Sequence, residues 1–106
     1  TTQGIVTAVE RDISVRPIPV GIALLQNYPN PFNPSTVISY QLPAAGFVKL
    51  KIFDLLGRDV ATLADGWIEA GLHTVSWNAP GFGSGVYFYQ LQSGNSLLTR
   101  KLLLLR

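Results

Sequence analysis

One histidine, three aspartates around a single hairpin and one glycine-rich loop are the groupings in this chain whose residue types could do chemistry. His73 could act as a general base, but no serine stands at the spacing of a known nucleophile family and the chain has no cysteine. Acyl transfer needs nucleophile and base together, so a lone histidine at a strand end reads as a hydrogen-bonded rim residue. Asp54, Asp59 and Asp65 lack the alternate spacing and the glycine that a calcium loop requires, and read as turn-makers and solvated ends. Gly81-Phe82-Gly83-Ser84-Gly85 has the glycine density of a phosphate loop. It runs into a strand and not into a helix N-terminus, whose amides would hold the anion. No catalytic residue, metal ligand or cofactor is expected.

What remains are residues that recognise rather than react. Leu102-Leu103-Leu104-Leu105 puts leucine on both faces of the last strand, where a half-buried strand needs it on one. Lys101 precedes this run and Arg106 follows it. Arg100 and Lys101 must point to opposite sides, so one of them lays its stem over apolar surface. An outward apolar ladder on a terminal strand invites docking or self-association, unless residues 1–23 cover it or sheet twist buries both faces. Trp67, beside Gly66 in what reads as a loop, is either a stacking surface for a sugar or a lid over the core.

Composition narrows the field. Of 106 residues 47% are hydrophobic and 13% charged, enough to build a core and too apolar for disorder. One domain is expected, stabilised by packing alone because no disulfide is available. The eight Lys and Arg residues give a net charge of only +2 and are scattered. A nucleic-acid surface would want a basic stripe, and Lys49 and Lys51 read as one solvated strand face. Thr1–Pro19 has no uninterrupted apolar run of the signal-peptide kind, and no stretch is long enough to span a bilayer as a helix. Residues 1–23 read as a linker from a longer precursor, with Ile5–Val9 or Ile13–Val15 pairing at a sheet edge. The domain is expected over 24–106.

The elements that must position these residues are all strands. Pro29, Pro31 and Pro34 each fix φ and remove a donor, and force extended geometry on the residue before them. Asn27–Thr36 is therefore a stiff ribbon leading into a strand over Thr36–Leu42, with Ile38, Tyr40 and Leu42 on one face. Phe47–Asp54 alternates again, with Val48, Leu50 and Ile52 inward. Gly57 closes a turn in the left-handed region, and Asp59–Leu63 is a short strand followed by a loop over Asp65–Ala70. From Gly71 a strand carries His73, Val75 and Trp77 on one face. Asn78–Ser84 is a loop, Val86–Gln92 a strand with Tyr87, Tyr89 and Leu91 together, and Leu97–Leu105 the last. Trp77 is expected in the core, and Tyr87, after Gly85, as a corner tyrosine whose hydroxyl bonds backbone upstream. The sum is an antiparallel β-sandwich of immunoglobulin-like type with six or seven strands.

Three blocks carry a family resemblance. Asn27-Tyr28-Pro29-Asn30-Pro31-Phe32-Asn33-Pro34-Ser35-Thr36 resembles, almost letter for letter, the opening motif of the C-terminal sorting domains of type IX secretion cargo. Ile52-Phe53-Asp54-Leu55-Leu56-Gly57-Arg58-Asp59-Val60 resembles their central hairpin, and Gly85-Val86-Tyr87 with Lys101 their closing motifs. The strand pattern is also similar to the immunoglobulin-like domain of flagellar hook-capping proteins. The resemblance implies a non-catalytic tail that follows a cargo domain and directs it across the outer membrane to the cell surface, after transit through the periplasm. It implies as partners an outer-membrane translocon and a sortase that cuts within Thr1–Ala23. Lys101, Leu102, Leu103, Leu104, Leu105 and Arg106, with its carboxylate, would form the recognition element. A carbohydrate-binding module, using Trp67 with tyrosines, and a structural domain that assembles through the leucine edge are the alternatives.

Overall fold

The computed structural model describes residues 21–79 and 81–106. The residues expected to form a linker therefore lie mostly outside the described part. Among the described residues there are seven strands, in order β1 (Ala23–Leu24), β2 (Ser35–Leu42), β3 (Gly46–Phe53), β4 (Asp59–Ile68), β5 (Gly71–Asn78), β6 (Gly85–Ser93) and β7 (Ser96–Leu104). They form two antiparallel sheets of order β1-β2-β5 and β4-β3-β6-β7. There is no helix among the described residues. The architecture is the expected immunoglobulin-like β-sandwich.

Alternation decides which side of each strand faces the other sheet. Ile38, Tyr40 and Leu42 of β2 are buried, as are Val48, Leu50 and Ile52 of β3. Tyr87, Tyr89 and Leu91 of β6 face them, and Trp77 of β5 closes one end. Around Trp77 the rings of Phe32, Phe82 and Tyr87 sit 5.6 to 5.7 Å away by centroid, tilted or edge-on, the arrangement that ring quadrupoles favour. The hairpin between β3 and β4 turns at Gly57, whose φ of 82° is left-handed, and its amide donates to the Asp54 carbonyl.

Two elements differ from the sequence expectation: a short β1 pairs Ala23 with Gln41 and Leu24 with Tyr40, and β4 is longer than its local signal. Asp65–Ala70 was expected as a loop, but β4 continues to Ile68. Asp65 and Gly66 are weak strand formers, which is why the local signal stops there. The partner strand overrides it: Lys49 pairs with Asp65, Val48 with Gly66 and Phe47 with Trp67. Two register shifts within this pairing let the ten residues of β4 match the eight of β3, the usual work of a bulge. Trp67 is thus a strand residue, 63% exposed, and not a loop lid. Its ring meets Phe47 edge-on at 6.2 Å.

The two tryptophans should separate cleanly in urea unfolding. Trp77→Ala is expected to cost about 3–5 kcal/mol through lost burial and a cavity. Trp67→Ala should cost less than about 1 kcal/mol, the range of an exposed cross-strand pair. Equal losses would contradict this placement of the core.

Candidate functional site

The proline ribbon does more than lead into β2. Its first half lies against that strand: Leu25 N–H donates to Ser39 O, and Tyr28 and Val37 exchange both backbone hydrogen bonds. Its second half crosses to the other sheet, where Phe32 forms a parallel bridge with Leu104 of β7. Between the two lies Asn27, 2% exposed, with its side-chain amide and its backbone N–H all engaged. Its side-chain amide donates to Pro29 O (3.1 Å) and Thr36 Oγ1 (2.9 Å), and its Oδ1 accepts from Gln26 Nε2 (2.7 Å). Its backbone N–H donates to the Tyr89 hydroxyl at 2.9 Å, and that hydroxyl donates to Leu25 O at 2.6 Å. Thr36 Oγ1 donates to Pro29 O. Burial pushes the Tyr89 hydroxyl above its usual pKa, so it stays protonated and keeps its donor.

The terminal strand β7 is held on three sides. Leu102 and Leu104 are fully buried in the core, while Leu103 is half-buried and Lys101 and Leu105 are exposed on the opposite side. Arg100 takes the inward direction, opposite Tyr89, and its Nε reaches Leu24 O at the rim. The outer edge of β7, from Lys101 O to Leu105 N, is occupied by the ribbon. Gln26 Nε2 donates to Lys101 O at 2.9 Å, and Leu103 N–H donates to Asn30 Oδ1 at 3.0 Å. Phe32 N–H donates to Leu103 O, and Leu105 N–H donates to Phe32 O, both at 3.0 Å. The last residue is also tied: Arg106 N–H donates to Ser84 Oγ, and its guanidinium to the carbonyls of Ala79 and Phe82.

The remaining sequence candidates take structural positions. Tyr87 donates its hydroxyl to Gly83 O, four residues upstream, at 2.8 Å. Pro34 O accepts the Ala79 N–H, and Gly85 starts β6 at φ 151°. His73 Nε2 lies 2.7 Å from Glu69 O, and its ring stacks on Tyr40. Asp54 caps the β3–β4 turn, accepting the Arg58 and Leu56 amides on Oδ1 and Arg58 Nε on Oδ2. Asp59 pairs with Lys51 Nζ at 2.8 Å. Among the described residues no three His, Asp or Glu side chains group as metal ligands. Beside Phe47, an open cleft of about 200 Å³ is lined by Val48, Lys49, Gln92 and Gly94. The Phe47 and Trp67 rings stand at 83°, so they offer no shared plane to a sugar chain.

Gln26, Asn27, Asn30 and Tyr89 are the residues that sequence reasoning did not single out. Asn27 and Asn30 stood in the motif, and their signal was available: an asparagine in a stiff apolar ribbon needs partners. Tyr89 was visible only as one of an inward row.

Tyr89→Phe would leave the Asn27 N–H and Leu25 O without this partner, a loss of roughly 1–3 kcal/mol for buried unsatisfied groups, readable in a urea midpoint. A result indistinguishable from the parent would remove the hydroxyl as the network's anchor. A pH dependence follows from Asp54, whose carboxyl is held below the usual aspartate range, first by the Arg58 amide. A depressed folded pKa adds stability fully present above the unfolded value and lost as pH falls through the folded one. Melting curves should show a loss below about pH 4 that is smaller in Asp54→Asn. Identical pH profiles for the two proteins would refute it.

The sequence model of the secretion system C-terminal sorting domain matches residues 26–105. No curated protein matches the chain. The matched span takes in the ribbon from Gln26 onward and ends at Leu105, the last residue of β7's outer edge to bond with the ribbon. Ribbon, sandwich and terminal strand are thus one recognisable unit, and the chain belongs to the C-terminal sorting domains of type IX secretion, signals that send an attached protein across the cell envelope to the surface or the surroundings.

Proposed function

We propose that this domain is a rigid, non-catalytic handle whose terminal strand is read by an outer-membrane translocon. The observation that carries the proposal is the division of labour along β7. Leu102 and Leu104 anchor the strand in the core, while Lys101, Leu103 and Leu105 face outward from an edge that is hydrogen-bonded from Lys101 O to Leu105 N. A receptor therefore meets a fixed constellation and pays little ordering entropy. Arg106 contributes by tying the strand end to the loop over 79–84. Residues 1–23 connect the handle to its cargo and hold the site at which a sortase separates the two. The precursor passes through the periplasm before this step, and no cofactor or nucleic acid takes part.

Cutting off residues 102–106 would remove two core leucines and unfold the domain, so outward substitutions are the cleaner test. The full chain is fused behind a periplasm-directed fluorescent protein in a type IX-competent host. The parent fusion is expected outside the cell. The Lys101→Glu/Leu105→Glu double variant is expected to remain inside, with secreted signal down by about tenfold or more, the scale of lost hot-spot contacts. Secretion of the double variant at the parent level would remove these residues as the recognition element.

A further inference from the structure

Strand addition is the obvious way for a receptor to read a terminal edge strand, and the geometry here points to a different mode. We infer that the secretion receptor engages the tail face-on, with the proline ribbon left in place, through the outward side chains of Pro31, Val86, Phe88, Lys101, Leu103 and Leu105. This rests on the proposed reading of β7 as the recognition strand.

Strand addition needs free N–H and C=O groups along the edge. From Lys101 O to Leu105 N the outward groups of β7 already bond to Gln26, Asn30 and Phe32. Releasing them would pull Phe32, 2% exposed, out of the core and away from Trp77. The outer face carries no such obstacle. Across β6 and β7, Val86 pairs with Leu103 and Phe88 with Lys101. The Phe32–Leu104 bridge places Pro31 beside Leu103, and Pro31 is exposed. The result is an apolar surface with one lysine beside it, continued onto β3 by Phe53, which pairs with Phe88. The next rung along the same face is polar, Gln90 opposite Thr99.

The surface fits a protein receptor that offers an apolar depression with a carboxylate near Lys101. A second copy of the chain fits it poorly. Even with Phe53 beside them, these residues are far short of the roughly 20–30 a side that a stable interface uses, and a sorting signal must also be released.

Two substitutions separate the modes, made in the full chain fused to the fluorescent reporter. Val86→Glu changes the face from the neighbouring strand and leaves the edge of β7 untouched. Thr99→Pro acts on the edge and leaves the apolar part of the face untouched, giving up only the Gln90–Thr99 side-chain hydrogen bond one rung away. Groups of residues 101, 103 and 105 point outward, so alternation turns the Thr99 N–H outward as well, and proline there spares the ladder while blocking strand addition. The expected result is a drop of about tenfold or more in secretion for Val86→Glu and parent-level secretion for Thr99→Pro. Melting temperatures of both purified proteins are measured, and Val86→Gln and Thr99→Lys replace any variant that does not fold.

Secretion of the Val86 variant at the parent level overturns the inference, whatever Thr99→Pro does. Retention of a folded Thr99 variant overturns it too, because the edge would then be read. Concentration-dependent dimerisation of the parent that Val86→Glu abolishes assigns the face to self-association and also overturns it. Failure of the underlying reading looks different: the Lys101→Glu/Leu105→Glu variant would then be secreted like the parent.

Discussion

The crossing of the ribbon from one sheet to the other is the constraint on which the rest of this small sandwich depends. Two sheets packed face to face leave open sides where edge strands and core meet solvent, and a chain without disulfides must close them by packing and hydrogen bonds. Here Asn27 sits at the crossing point. It is bonded to Gln26, Pro29, Thr36 and the Tyr89 hydroxyl, and so links the start of the domain to β2 and β6 together. A buried amide with unmade bonds would cost more than the ribbon gains. The path that satisfies these partners delivers Phe32 to the core and to the edge of β7.

Edge strands in a protein that must cross an envelope without pairing to others are a hazard. The β7 edge carries the most apolar run in the chain, and the ribbon caps it in cis with Asn30 and Phe32. Prolines suit this task. A segment that adds to an edge exposes a new edge of its own, and each proline removes a donor from it. Pro29, Pro31 and Pro34 thus let the ribbon cover β7 while offering little for the next strand to pair with. The same arrangement makes the outward side chains of β7 a stable surface.

Charges play a supporting part. Asp54 holds the β3–β4 turn through two amides and Arg58, and Asp59 pairs with Lys51 across the hairpin. Both are exposed pairs of the kind that contribute little alone, and their value lies in fixing the turn geometry. The aromatic pair Phe47–Trp67 likewise pins the far end of the same hairpin, where the local propensity of Asp65 and Gly66 would let it fray.

Alternation and turn chemistry alone determined most of the architecture. Ile38, Tyr40 and Leu42, then Val48, Leu50 and Ile52, then Tyr87, Tyr89 and Leu91 are period-two rows, and a row with one apolar face has one way to lie on a core. Gly57 and Tyr87 were legible for the same local reason: a left-handed turn residue and a corner hydroxyl leave their mark within a few residues of sequence. The length of β4 was not legible, because Asp65, Gly66 and Trp67 take strand geometry only when β3 offers its edge. Nor was the fate of the leucine run. Sequence showed leucine on both faces of β7 but could not show that residues some seventy positions earlier close its edge. That contact is made by backbone groups and two amide side chains, which carry no periodic signal, and only the folded chain brings them within hydrogen-bonding distance.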